Sequence, residues 1–171
     1  MKRVLVSGKI GSGKSEACRY FASLGYPVYD CDSRCKALYE EVPGLKRRIE
    51  EALGTDFSNL GVIFSDPEKM EKLESIVFPL LIADIAAWTA SCEGDAVFIE
   101  SATALSKPSL SGLYDSVLIV EAPFELRVGR NPKAAQRDAL QHCCCPGATV
   151  IVNSSDLVSF HNKLDDYLKT I

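Results

Sequence analysis

Apolar positions along this chain fall into two rhythms. Short, nearly continuous runs occur at residues 96–99, 116–120 and 150–152, the pattern of strands covered on both faces, and residues 3–7 form a short β-rich run. Residues 26–29 form a further short strand candidate. Between these runs the apolar residues space themselves as helices do. Ala17, Cys18, Phe21 and Leu24 mark a helix over residues 14–24, stopped by Gly25. Residues 33–41 and 45–53 read as two short helices divided by Pro43-Gly44. Met70, Leu73, Val77, Leu80 and Leu81 mark a longer helix, opened by the capping-box spacing Ser65-Asp66-Pro67-Glu68 and kinked or broken at Pro79. Residues 157–168 close the chain as a helix. Five strands alternating with helices predict an α/β fold, a mostly parallel sheet between helical layers.

With 171 residues the chain suits one domain without staples. Nineteen basic against twenty-three acidic residues leave a net charge of −4, which argues against a nucleic-acid coat and requires any polyanion to be met by a local cationic cluster. The opening Lys2-Arg3 is followed by too few apolar residues for a signal peptide, and the apolar region at 77–88 is interrupted by Pro79 and Asp84. The expectation is a cytoplasmic protein with no membrane or nucleic-acid partner. Cys143-Cys144-Cys145 beside His142 suggests a metal site at first sight. The run lacks paired C-x2-C knuckles, so reduced thiols are the expected state.

The strongest chemical signal is Gly8-Lys9-Ile10-Gly11-Ser12-Gly13-Lys14-Ser15, which satisfies G-x-x-x-x-G-K-[ST] between a strand and a helix. Glycines let successive backbone N–H groups curl around a phosphate, and the helix that follows offers its positive end. Gly11, Ser12 and Gly13 would cradle the nucleotide. Lys14 would reach the β- and γ-phosphates, and the Ser15 hydroxyl would ligate Mg²⁺.

The second signal is Asp30-Cys31-Asp32 at the end of the second strand. Strand alternation sends both carboxylates in one general direction, outside the carboxyl edge of the sheet where ligands gather. Carboxylates there can accept a proton from an attacking hydroxyl or hold metal-bound water. Asp32 also reads as the N-cap of the following helix.

These residues resemble the dephospho-CoA kinase family, whose opening reads roughly TGGIGSGKS…LG…VIDAD. Residues 7–15, Leu24-Gly25 and Val28-Tyr29-Asp30-Cys31-Asp32 carry the likeness. Residues 73–80 are similar to its LExIxHP segment, 115–123 to its D-x-V-I-V-V-x-A-P strand, and 150–153 to its late VI-x-N strand and loop. The resemblance implies a three-layer P-loop kinase fold spanning residues 1–171. It carries a helical acceptor-binding insertion at approximately 33–91 and a short lid at approximately 124–147. It implies transfer of the ATP γ-phosphoryl, with Mg²⁺, to the ribose 3′-hydroxyl of dephospho-CoA, by a monomer or weak homo-oligomer. It makes Asp32 the general base, Asp30 a supporting metal-water or substrate ligand, and Asn153 and Ser154 neighbours of the adenine.

The chain departs from the family pattern at Phe78, where the pattern has His, and at residues 100–105, where PLLFE is replaced by ESATAL. Glu100 remains as an acidic residue able to approach Mg²⁺. The segment between Pro123 and Ala148 is shorter than the family's arginine-bearing lid, leaving Arg130 and Arg137 as candidates to clamp the transferring phosphate. Two alternatives stay open: another P-loop nucleotide or small-molecule kinase, and a nucleotide-binding module without transfer activity.

Overall fold

A computed structural model describes residues 1–138 and 143–171. The chain divides into two compact units, Met1–Asp30 with Ser91–Ile171, and Cys31–Ala90.

The first unit is built on five strands: β1 (Lys2–Ser7), β2 (Val28–Asp30), β3 (Ala96–Glu100), β4 (Ser116–Glu121) and β5 (Thr149–Val152). Every pairing is parallel, in the order β2-β3-β1-β4-β5. The chain winds outward from β1 to one side and later crosses to β4 on the other. The carboxyl end of β1 is therefore a topological switch point, where open α/β sheets bind ligands.

Side-chain parity explains the apolar runs. Val4 and Val6 of β1, Phe98 of β3, Leu118 and Val120 of β4 and Ile151 of β5 share one face. They bury against Ala17, Cys18 and Phe21 of α1 (Lys14–Ser23) and Phe160, Leu164 and Tyr167 of α7 (Leu157–Leu168). Phe21 stacks on Phe98 with ring centroids 3.9 Å apart, both fully buried. Truncating either ring would cost about 3–5 kcal/mol. The intervening residues Leu5, Val97, Ile99, Val117 and Ile119 are buried as well, so both faces are covered. Asp156 caps α7 by accepting from the Ser159 N–H at 2.9 Å.

The second unit consists of α2 (Cys31–Glu41), α3 (Leu45–Leu53), a 3-10 segment (Phe57–Ser65) and α4, which runs to Ser91 from Pro67. Leu45, Ile49 and Leu53 of α3 recur at helical spacing and bury with Ile63 and Val77. Lys46 of α3 pairs with Glu40 of α2, and Arg47 with Glu51 at 3.3 Å.

Three expectations need correction here. First, α2 begins at Cys31, directly after β2, so Asp32 is the helix's second residue and not its N-cap. Strand alternation does not extend to Asp32, and the shared direction inferred for the two carboxylates loses its basis. Second, Asp66 caps α4, accepting from the Lys69 N–H at 3.2 Å, whereas the capping-box spacing pointed to Ser65. Third, α4 does not break at Pro79. It is one 25-residue helix, and by length and composition it suffices to cross a membrane, contrary to the interrupted reading of its apolar stretch. A single lost N–H does not end a helix whose neighbouring turns are anchored by buried Val77, Leu81 and Ile85. Asp84 on α4 is ion-paired to Arg34 of α2 at 2.8 Å.

Candidate nucleotide site

The loop from Gly8 to Gly13 leaves β1 at the switch point and hands over to α1. Its curvature depends on residues without a Cβ at two close approaches. Gly11 has φ +78°, and a Cβ there would lie 2.6 Å from the Arg127 carbonyl oxygen. Gly13 has φ +110°, and a Cβ would collide with the Asn153 side-chain amide. The loop is held closed by Ser12 N–H donating to the Lys9 carbonyl at 3.1 Å, and α1 starts with Ala17 N–H donating to the Gly13 carbonyl at 3.0 Å. Lys14 Nζ lies 3.3 Å from the Lys9 carbonyl oxygen, across the mouth of the loop.

Ser15, in the first turn of α1, donates to Glu100 Oε1 at 2.7 Å. Glu100 ends β3, and Asp30, which ends β2, is its direct partner in the parallel register. Parity turns both side chains to the α1 face of the sheet, the face that Phe98 and Val28 occupy. Burial pushes the Glu100 carboxyl above its ordinary value; the Ser15 hydrogen bond and the Lys14 charge pull it back, and the Asp30 charge raises it further. Cys18, one turn along α1, has its thiol pushed well up, mainly by burial and secondarily by the Glu100 charge. A hydroxyl and two carboxylates at the mouth of a phosphate loop form the hard oxygen set that suits Mg²⁺. Among the described residues no cluster of three or more His, Cys, Asp or Glu forms a protein-only metal cage. Mg²⁺ does not require one, since it keeps waters and phosphate oxygens in its shell.

Asn153, the residue after β5, is buried and locked to the loop. Its side-chain amide donates to the Ser12 carbonyl at 2.9 Å, and its backbone N–H donates to the Glu121 carbonyl at 2.7 Å. Arg130, at the end of α5 (Phe124–Arg130), donates to Asn153 Oδ1 at 3.4 Å and lies 3.3 Å from the Gly11 carbonyl oxygen. The structure therefore brings together Gly11, Ser12, Gly13, Lys14, Ser15, Asp30, Arg130 and Asn153. Arg137 ends α6 (Lys133–Arg137), is exposed, and has no bond to the loop among the described residues. Asp32 lies in the second unit.

Beside the loop a cleft of about 370 Å³ is lined by Lys9, Ser12, Val120, Arg127, Cys143 and Val152, together with Cys144 and the residues at the end of β4. Ser12 is fully buried, and its hydroxyl has no hydrogen-bond partner among the described residues. Cys143 is half-buried, its thiol raised by burial, and Cys144 is exposed. His142 lies outside the described residues.

Sequence reasoning placed Glu100 as an acidic residue able to approach Mg²⁺ but did not pair it with Asp30, because strand register is not recorded locally. It passed over Arg127, because nothing in a helical or strand rhythm marks a buried arginine at 6% exposure.

A family model described as dephospho-CoA kinase matches residues 3–142. A Porphyromonas gingivalis dephospho-CoA kinase is 35% identical over 134 residues, covering 73% of this chain and 66% of its own length. The chain thus spans just under two thirds of that curated relative. Among solved structures, one from Thermus thermophilus superposes with a TM-score of 0.80 at 27% identity, covering 99% of this chain and 97% of its own. A Campylobacter jejuni dephospho-CoA kinase superposes at 0.65 and 21% identity, covering 98% and 95%, a likeness of fold.

Proposed function

This chain belongs to the dephospho-CoA kinase family, and from that premise we propose that it transfers the γ-phosphoryl group of ATP to the ribose 3′-hydroxyl of dephospho-CoA. The observation that carries the reading is the phosphate loop opening at the β1 switch point, with Ser15, Glu100 and Asp30 gathered at its mouth. Loop N–H groups and Lys14 hold the β- and γ-phosphates and oppose the charge that develops as the phosphoryl group moves. Ser15, Glu100 and Asp30 would hold Mg²⁺ with its water shell, and the ion would supply neutralisation of phosphate charge.

A ribose hydroxyl is a poor nucleophile at neutral pH, so a carboxylate within hydrogen-bond reach assists as its proton leaves. Asp32 takes that role in this reading. A phosphate acceptor arrives already ionised and would need only cations, so a carboxylate base belongs with a hydroxyl acceptor. Arg130 and Arg137 supply the cationic clamp on the transferring group. The enzyme works on small-molecule substrates in the cytoplasm, as a monomer or weak homo-oligomer. Neither a different acceptor nor a loss of transfer has an observation of its own in the site.

The test is a transfer assay with ATP, Mg²⁺ and dephospho-CoA, followed by phosphorus NMR of the product. A new monoester on the ribose 3′ position is expected. Phosphate placed on a different acceptor, with dephospho-CoA untouched, overturns the reading.

A further inference from the structure

Two cations converge beside the phosphate loop on a single carboxylate. Arg127 Nη2 donates to Asp138 Oδ1, and Lys9 Nζ lies 3.2 Å from Asp138 Oδ2. Lys9 also donates to the Asp138 backbone carbonyl at 3.1 Å. The guanidinium is fixed from behind: its Nε donates to the Ala122 carbonyl at 3.1 Å, and the Phe124 ring centroid lies 5.5 Å from Cζ. Arg127 Nη1 remains, shielded from solvent and without a hydrogen-bond partner among the described residues.

The mismatch is one of counting donors and acceptors. A carboxylate has two oxygens, and each here is engaged by a different cation. The planar arginine fork suits two oxygens of one anion at once, yet Asp138 presents it with only one. A buried guanidinium N–H without an acceptor has surrendered its water and received nothing in exchange. A phosphate group offers more oxygens on a tetrahedral frame and a larger charge, enough for Nη1, Nη2 and Nζ together. Lys9, Ser12 and Arg127 also line the cleft of about 370 Å³, so such a group has room to enter.

We propose that Lys9 and Arg127 form an anion site beside the phosphate loop, which Asp138 fills in the ligand-free chain and which a phosphate group of a substrate takes over. Asp138 is then an internal competitor for substrate phosphate, carried at the end of α6. The inference rests on the kinase reading only in taking the anion to be part of a substrate. Both the nucleoside triphosphate and a pyrophosphate-bearing acceptor carry the required chemistry.

The test is calorimetric titration of the full chain with inorganic pyrophosphate, ATP and dephospho-CoA in separate arms. Asp138→Asn removes the competing charge and keeps the shape, so pyrophosphate binding should tighten by about fivefold, the scale of a partly exposed ion pair. The double variant Asp138→Asn with Arg127→Lys keeps the same net charge but lacks the fork, and the gain should disappear. Lys9→Met, which leaves the buried arginine untouched, should weaken pyrophosphate binding. A gain that survives in the double variant reflects long-range charge alone and overturns the site. Unchanged or weaker binding by a folded Asp138→Asn protein overturns it too. A parallel gain with ATP or with dephospho-CoA identifies which substrate supplies the phosphate, and a gain with neither overturns the assignment to a substrate. None of these readings requires catalytic transfer, so they stand apart from the outcome of the transfer assay.

Discussion

Ser15 Oγ donates to Glu100 Oε1 across 2.7 Å, tying the first turn of α1 to the carboxyl end of β3. The bond holds the Ser15 hydroxyl against a carboxylate whose ionisation is opposed by burial. Glu100→Gln keeps an acceptor for Ser15 and removes the charge. Turnover should fall by about 10²-fold, with a matching rise in the Mg²⁺ concentration needed for half-maximal rate. The pH dependence has a definite sign. Because the folded-state value is raised, acidification protonates Glu100 earlier than an ordinary glutamate, and Mg²⁺ affinity declines through that range. The same raised value means that stability falls as the pH rises from the ordinary glutamate range through that value, so the Gln variant should be relatively more stable at neutral pH. Mg²⁺ titrations and melting curves across pH check both limbs.

Asn153 joins the end of β5 to the phosphate loop through the Ser12 carbonyl. Asn153→Ala leaves that carbonyl without its donor, which should reduce unfolding free energy by about 1–3 kcal/mol. ATP should bind more weakly as well, because a looser loop must be ordered by the ligand. Urea denaturation and equilibrium binding on the same preparation separate the two effects.

Arg130 already sits against the Gly11 carbonyl, whereas Arg137 stands exposed at the end of α6. Arg130→Ala should cut kcat by about 10²- to 10³-fold while changing ATP affinity far less. Arg137→Ala should also lower kcat selectively. A wild-type kcat in the Arg137 variant removes that residue from the clamp.

Asp32→Asn preserves size and polarity but removes basicity. Turnover on dephospho-CoA should drop by about 10²-fold with ATP binding unchanged. Wild-type turnover in that variant assigns the base elsewhere.

Asp115 tests the sheet and not the chemistry. It accepts from the Arg3 backbone N–H at 2.9 Å and from the Arg3 side chain, linking β1 to the start of β4. The Arg3 contact lowers its carboxyl to about 2. A depressed carboxyl contributes stability that is present above its unfolded value and lost as the pH falls toward the folded one, here between about 4 and 2. The pair is partly solvent-exposed, so Asp115→Asn should cost no more than about 1 kcal/mol at neutral pH, and the difference should vanish in strong acid. Thermal melts from pH 7 to pH 2 give the comparison.

The phosphate loop, the five strands and the closing helix at Leu157–Leu168 were legible in the sequence because each is encoded locally. A glycine is required where the backbone must curl, an unbroken apolar run where both sheet faces are covered, and a 3.6-residue rhythm where a helix meets a core. Pro79 and Asp32 mark the limit of such reading. The proline lowers helix propensity at one position, but packing of Val77, Leu81 and Ile85 carries α4 through it. The turn from β2 into α2 comes at Cys31, before the capping residue that the sequence offered. Only the tertiary structure decided that Glu100 faces Asp30 and Ser15, that Asn153 braces Ser12, and that Arg127 is buried against Asp138. These pairs lie 11 to 141 residues apart along the chain. No local rhythm records them, because strand order and register set which distant side chains share a face.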